Sequence, residues 1–298
     1  MTPVLEFHDI ARSFQRNVPV LDGVTFQVNQ AEVVGLLGRN GAGKTTLLRI
    51  AMGMLFPHRG SVRAFGISPT EDPVAVKKRV GYAAEDQVFP VATKVGELIG
   101  LHRYLFPNWD ESLERQLLER FALPRGAKIG KLSKGQARQV ALLCAVCHRP
   151  ELLILDEPAG GLDPAVRREF LETSIQLLNR EGTAILFSSH YMNDVERLGG
   201  RVVLLDSGKV RLDREVDSLR EDFCVAMVPR DSAPDAALLR RVPGCLRVRP
   251  VFEEWHAVFQ GPPAAVQAQL KEALGTNGIR CVPVPLEELF IELLGGER

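Results

Sequence analysis

A glycine-rich loop near residue 40 constrains the possible folds of this chain more than any other segment. The apolar stretch Val33–Leu37 before it predicts a strand, and Lys44–Met54 after it has the composition of a helix. A strand, a glycine-rich loop and a helix in this order aim backbone N–H groups and the positive helix end at one anion. The segment fits the pattern of glycine, four residues and Gly-Lys-Thr, and its residues are Gly38, Arg39, Asn40, Gly41, Ala42, Gly43, Lys44, Thr45 and Thr46. The loop therefore predicts an α/β fold with a phosphate-binding site.

Two adjacent carboxylates follow a second apolar stretch. Leu152–Leu155 is short and wholly apolar, as in a strand buried inside a parallel sheet, and Asp156 and Glu157 come directly after it. In such sheets, ligands bind beyond the carboxyl ends of the strands. We therefore expect Lys44 to bridge the β- and γ-phosphates of a nucleotide. The Thr45 hydroxyl is expected to occupy one Mg²⁺ position, while one of the two carboxylates can hold Mg²⁺ through water and the next can polarise an attacking water.

A third motif lies between these two segments. Its residues are Leu132, Ser133, Lys134, Gly135 and Gln136. Here the chain resembles the ATP-binding-cassette (ABC) ATPases, whose signature sequence normally reads Leu-Ser-Gly-Gly-Gln, with Lys134 in place of the first glycine. The resemblance covers about residues 3 to 215, because the phosphate loop, signature, acidic strand, Gly-Leu-Asp at 161–163 and His190 follow the family's order. It implies that the chain binds and hydrolyses ATP with Mg²⁺.

The resemblance also implies roles for individual side chains. Phe14 occupies the position of an aromatic ring that stacks on adenine, and a core phenylalanine is the alternative. Glu157 resembles the catalytic carboxylate and Asp156 the Mg²⁺ partner. His190 resembles the histidine that contacts the γ-phosphate, with a purely structural histidine as the alternative. Asp163 resembles the loop residue that crosses to a partner subunit.

Glu85 departs from the family pattern. The family usually has glutamine at the end of a Gly-Tyr-x-x-Gln segment, whereas residues 81–85 of this chain read Gly-Tyr-Ala-Ala-Glu. A glutamine amide oxygen can ligate Mg²⁺, and a glutamate adds a full negative charge at that place. Glu85 is the positional equivalent and a candidate Mg²⁺ ligand, while Gln87 is the alternative.

A single copy of each motif implies two chains. In the family, the signature of one subunit caps the γ-phosphate held by the phosphate loop of another. Ser133 and the amide of Gly135, at a helix N-terminus, are donors suited to an oxygen whose charge grows during phosphoryl transfer. We therefore expect a homodimer, or pairing with a second ABC subunit, with ATP at the interface.

The predicted fold is a P-loop NTPase cassette followed by a small second domain. The cassette, residues 1–215, is expected to have a mixed sheet core, an antiparallel β subdomain and a helical insertion at about residues 86–145. Residues 216–298 differ in composition, because prolines are spread through them and the motifs above are absent from them. They are expected to form a C-terminal α+β accessory domain. Its element order, β-α-β-β-α-β, is typical of a ferredoxin-like sandwich.

Composition limits the partners of the chain. Lys and Arg number 37, as do Asp and Glu, so the formal charge is zero, and no basic excess favours nucleic acid. No apolar run reaches the ~20 residues of a membrane-spanning helix, and no secretory signal is visible. Five cysteines are expected to be reduced thiols rather than a disulfide framework. These features predict a cytoplasmic protein.

The predicted function is an ATP-hydrolysing subunit that powers a transporter whose membrane-spanning permease is a separate polypeptide. Residues 106–110 and 286–290 resemble single-cassette subunits of bacterial ABC-2 type export systems. The chain is then expected to lie peripherally on the inner face of the membrane. The permease is expected to dock on the helical insertion, with Val88, Phe89 and Leu101 as candidates and core packing as the alternative.

Several other functions remain open from the sequence. One is an ABC ATPase that acts on ribosomes, DNA or iron–sulfur assembly instead of moving a solute, and another is a regulatory ABC module. A P-loop kinase is a further alternative, although a kinase needs neither the signature nor His190.

Overall fold

The computed structural model describes most of the chain, and every structural statement below concerns the described residues. These are residues 2–15, 18–85, 89–158, 160, 182–198, 200–233, 235–276, 278–287 and 289–290. The chain divides into two compact units, Met1–Asp213 and Arg214–Arg298.

The described elements are numbered here in chain order. The strands are β1 Pro3–Gln15, β2 Val18–Asn29, β3 Val33–Leu37, β4 Arg59–Ala64, β5 Val80–Ala83, β6 Leu152–Leu155, β7 Ala184–Ser189, β8 Arg201–Asp206, β9 Lys209–Glu215, β10 Phe223–Pro229, β11 Cys245–Val251, β12 Glu254–Gln260 and β13 Arg280–Pro283. The α-helices are α1 Lys44–Ala51, α2 Pro73–Arg79, α3 Val95–Leu105, α4 Glu111–Arg120, α5 Lys134–Val146, α6 Met192–Leu198, α7 Val216–Asp222, α8 Ala236–Arg240 and α9 Pro263–Leu274. A 3₁₀ turn, Ile129–Lys131, precedes α5.

The first unit is built on a six-stranded sheet in the order β5-β6-β7-β3-β8-β9. The first five strands of that order run parallel. Every residue of β3, β6 and β7 is buried, as expected for apolar strands covered on both faces of a parallel sheet. Because β6, β7 and β3 are neighbours, their carboxyl ends meet at one edge, and the predicted phosphate loop follows β3 there.

A three-stranded antiparallel sheet, β2-β1-β4, forms the β subdomain of the same unit. Its buried side chains join one hydrophobic core with α1 and the six-stranded sheet, and the rings of Phe7 and Phe26 lie 4.8 Å apart within it. The sequence patterns did not indicate β1, because register shifts interrupt its pairing with β2 and blur the alternation of buried and exposed residues.

Helix α1 is shorter than predicted. The composition suggested a helix to Met54, but α1 ends at Ala51. Gly53 has φ 65°, and a left-handed glycine just beyond the last turn ends an α-helix.

Three helices and the 3₁₀ turn lie between β5 and β6. Helix α3 lies in the predicted helical insertion, and Asp110 caps α4 by accepting a hydrogen bond from the Leu113 amide at 2.8 Å. The buried carboxylate of Glu114 binds the Trp109 indole N–H at 2.7 Å and pairs with two arginines. Of the docking candidates, Leu101 is exposed, Phe89 is half-buried against His102, and Val88 lies outside the described residues.

The second unit contains a four-stranded antiparallel sheet in the order β11-β12-β10-β13. With α8 between β10 and β11 and α9 between β12 and β13, its elements follow the order of a ferredoxin-like sandwich. Side chains such as Cys224, Phe259 and Leu270 form a core of its own. Across both units, none of the helices that the structure describes has the length and apolar character to cross a membrane.

Candidate active site

The glycine-rich loop forms a cradle between β3 and α1. Gly41 and Gly43 have φ values of 84° and 104°, which side-chain-bearing residues rarely adopt. A Cβ atom on Gly43 would lie 2.8 Å from the carbonyl of Val20, so the loop also needs glycine for space. The buried Lys44 ammonium donates hydrogen bonds to the Gly38 carbonyl at 2.7 Å and the Arg39 carbonyl at 3.3 Å. The charge of Lys44 is thereby held over the loop.

The carboxylates after β6 lie beside this loop. Thr45 donates a hydrogen bond from Oγ1 to Asp156 Oδ1 at 3.1 Å. Burial raises the pKa of Asp156, an effect opposed by its hydrogen bonds from Ser188 and Thr45. A hydroxyl and a carboxylate are the hard oxygen ligands that Mg²⁺ prefers. Among the described residues, no group of three or more His, Cys, Asp or Glu is placed to hold a metal ion.

Glu157 occupies the centre of the site. Its Oε1 lies 3.2 Å from Lys44 Nζ, and its Oε2 lies 2.8 Å from Nδ1 of His190. Oε1 is buried and has no aligned hydrogen-bond partner, so its contact with Lys44 is an ion pair. Glu157 also has φ 44°, a left-handed conformation that costs a non-glycine residue ~1–2 kcal/mol. A strained backbone that orients a buried carboxylate is typical of functional sites.

Ser188 contacts both acidic residues, through the Asp156 carboxylate and the Glu157 backbone amide, and no sequence motif pointed to it. This fully buried residue of β7 donates a hydrogen bond from Oγ to Asp156 Oδ1 at 2.7 Å and accepts one from the Glu157 amide at 2.8 Å. The only sequence signal was its place at the end of an apolar strand, two residues before His190. A hydroxyl there can hold the carboxyl ends of β6 and β7 together.

A cavity of about 410 Å³ opens beside Lys44, Thr45 and Glu157, a size usual for small-molecule sites, and its lining does not include Asp156 or His190. It contains most of the predicted phosphate loop together with Glu85 and Glu157, and its lining residues are Val20, Asn40, Gly41, Gly43, Lys44, Thr45, Thr46, Glu85 and Glu157. The structure thus brings Glu85 to the same cavity as Thr45.

Other predicted site residues lie elsewhere. Phe14 is 58% exposed near the end of β1, so the alternative of a core phenylalanine is wrong. Ser133 caps α5 by accepting a hydrogen bond from the Gln136 amide at 3.1 Å, and it is exposed. The described lining of the cavity includes no residue of the signature 132–136. Asp163 and Gln87 lie outside the described residues.

Parallel strands, a phosphate-binding loop before a helix and paired carboxylates define a nucleotide-binding protein of the P-loop class. A family model described as "ABC transporter" matches residues 21–160. The Nod factor export ATP-binding protein I of Burkholderia thailandensis is 33% identical over 98% of this chain and 97% of its own length. YtrB of Bacillus subtilis, an ABC transporter ATP-binding protein, is 28% identical over 99% of both chains.

Solved structures agree. An ATP-binding subunit of an ABC transporter superposes with a TM-score of 0.66 at 30% identity, over 73% of this chain and 92% of that one. The dimeric cassette MJ0796 has the same fold, with a TM-score of 0.63 at 19% identity over 71% of this chain and 98% of its own. The chain belongs to the family of ABC transporter ATP-binding proteins, and its enzymatic activity is ATP hydrolysis.

Proposed function

We propose that this chain is the ATP-hydrolysing subunit of an ABC-2 type exporter whose permease is a separate polypeptide. Residues 1–215 are the nucleotide-binding domain, with the helical subdomain at about 86–145, and residues 216–298 are an accessory domain. Similarity to a protein named for Nod factor export supports this assignment, because it extends through the second unit. The chain then acts at the cytoplasmic face of the membrane, on which it is peripheral.

The catalytic steps follow from side chains around the cavity. Lys44 binds the β- and γ-phosphates, and the carboxylate of Glu157 beside it accepts a proton from the water that attacks the γ-phosphate. His190 orients Glu157 through the hydrogen bond at Oε2, and we assign to it a contact with the same phosphate. Thr45 and Asp156, with Glu85, would hold Mg²⁺, which would neutralise charge on the phosphates.

The second half of each site comes from a partner chain. Ser133 is exposed and lies outside the lining of its own cavity, so its hydroxyl is available to a nucleotide held by another protomer. The signature residues Leu132–Gln136 and Asp163 are assigned to this interface. Phe14 stacks on the adenine base. A homodimer, or a pair with a second ABC subunit, supplies two such composite sites.

The observation that carries the catalytic assignment is the position of Glu157 between Lys44 and His190. In Glu157→Gln the amide cannot accept the water's proton, so we expect turnover to fall by ~10²–10⁴-fold. ATP affinity should change little, because Lys44 and the loop remain. Glu151→Gln is the matched control, since Glu151 pairs with Arg79 at the start of β6, away from the cavity. Equal turnover in the two variants would overturn the role of Glu157.

The exporter assignment has a separate test. The chain can be reconstituted in lipid vesicles with a membrane protein encoded beside it. We expect a stable complex in which the permease changes the ATPase rate and Glu157→Gln stops solute movement. The proposal would be contradicted if adding the membrane protein changed neither the ATPase rate nor the sedimentation profile of the chain.

A further inference from the structure

A cation lies against the ring of Phe14. Arg12 precedes it by two residues on β1. The guanidinium carbon of Arg12 lies 5.2 Å from the centre of the Phe14 ring, within the ~6 Å over which a cation and an aromatic face attract each other. One face of the ring is therefore covered, although 58% of the Phe14 surface is exposed.

Arg12 is itself held in place. Its Nη1 donates a hydrogen bond to the carbonyl of Phe56 at 2.9 Å, and its Nε is buried without a hydrogen-bond partner. In the described part of the chain, no carboxylate lies within ion-pair distance of the Arg12 guanidinium.

A second arginine–phenylalanine pair differs because its guanidinium has a carboxylate partner. The guanidinium of Arg79 lies 3.7 Å from the centre of the Phe65 ring, but it is paired with Glu151. Among the described residues, the guanidinium beside Phe14 contacts the Phe56 carbonyl and has no carboxylate partner.

We propose that Arg12 is a positioning residue for the nucleotide base, fixing the Phe14 ring so that its open face stacks on a purine. The inference rests on the proposed role of Phe14 as the base platform. A phenylalanine has no polar group to anchor it, so an exposed ring must give up rotational freedom when a base stacks on it. A guanidinium tethered to Phe56 O restricts that freedom in advance, which strengthens binding.

Binding measurements on Arg12→Ala, Phe14→Ala and the double variant test the proposal. The probes are ATP and inorganic tripolyphosphate, which has no base. Stacking is worth ~1–3 kcal/mol per base, so we expect Phe14→Ala to weaken ATP binding about 5- to 150-fold. An exposed cation–π contact is worth ~0.5–1 kcal/mol, so Arg12→Ala should weaken it about two- to fivefold.

The coupling between the two positions is the decisive readout. The double variant should bind ATP no more weakly than Phe14→Ala alone, and tripolyphosphate affinity should be unchanged in all three. Arg12→Lys keeps the charge but loses the planar group, so it should restore part of the affinity. Arg63→Ala is the control, because Arg63 lies on β4 of the same sheet and donates to the Gly66 carbonyl.

Three results would overturn the proposal. Arg12→Ala could weaken tripolyphosphate as much as ATP, in which case Arg12 acts on phosphate. The full loss of ATP affinity caused by Arg12→Ala could persist in the double variant, which would show that Arg12 does not act through the ring. If Phe14→Ala leaves ATP affinity unchanged, the base platform and the inference fail together, whereas ATP hydrolysis through Glu157 is untouched by that result.

Discussion

Removing the Ser188 hydroxyl should both destabilise the protein and impair catalysis. Ser188→Ala deletes a 2.7 Å hydrogen bond to the Asp156 carboxylate and leaves the Glu157 amide without its 2.8 Å acceptor. A bond to a charged group is worth ~1.5–3 kcal/mol, and an unsatisfied buried amide costs ~1–3 kcal/mol. Because the site is fully buried, the free energy of unfolding should fall by about 2.5–6 kcal/mol. At ~2–4 °C per kcal/mol for a unit of this size, the melting temperature should drop by roughly 5–24 °C.

The catalytic effect separates this site from an ordinary buried hydroxyl. Thr183→Val is the matched control, because Thr183 is buried and donates to the Pro150 carbonyl at 2.9 Å, away from the cavity. The control should lose ~1 kcal/mol of stability and keep its turnover rate. Ser188→Ala should lose turnover at temperatures where it is folded, because Glu157 is no longer anchored. Calorimetry and steady-state ATPase assays measure the two effects, and equal turnover in both variants would refute the reasoning.

Three further predictions follow from packing and burial. Burial lowers the pKa of His148 to about 4, so the folded protein binds fewer protons than the unfolded chain below pH ~6.5. The free energy of unfolding should therefore fall as the pH drops from about 6.5 to 4. Chemical denaturation should show a fall that is ~3 kcal/mol larger than the fall in His148→Gln. Gly81→Ala should lower the free energy of unfolding by ~3 kcal/mol, because its Cβ would lie 2.1 Å from the Ala145 carbonyl. Gly100 lies in the middle of α3, and a Cβ added there would have no neighbouring side chain or other segment within 4 Å. Gly100→Ala should therefore raise the free energy of unfolding by ~0.5–1 kcal/mol, and thermal denaturation distinguishes the two variants. Finally, burial raises the pKa of the Cys144 thiol to about 12, so a thiol reagent at pH 8 should leave it unmodified until the protein is unfolded.

Local chemistry made much of the first unit predictable. The loop before Lys44 and the carboxylates after β6 are recognisable because backbone N–H groups, one cation and acidic side chains must follow strands at fixed spacing. The burial rule for parallel strands also identified the strand that became β6. The short uniform stretch Leu152–Leu155 appeared with the predicted bounds.

Features that depend on tertiary contacts could not be found in this way. Strand β1 was not predicted because its register shifts hide the alternation that marks a strand. Ser188 was not predicted because its role depends on Asp156, which follows a neighbouring strand and is 32 residues away along the chain. Arg12 matters only through the ring of Phe14 and a carbonyl 44 residues further on. Each case needs the packed structure to define the partner.

In the proposed function, two chains close around ATP, with Ser133 of one facing the nucleotide of the other. The most direct measurement is the mass of Glu157→Gln in solution with ATP and Mg²⁺, by light scattering over a range of protein concentrations. The account predicts the mass of two chains with ATP, of one chain without it, and of one chain for Glu157→Gln combined with Ser133→Arg, although that variant still binds ATP. A single-chain mass for Glu157→Gln at every concentration, with ATP bound, would contradict the account.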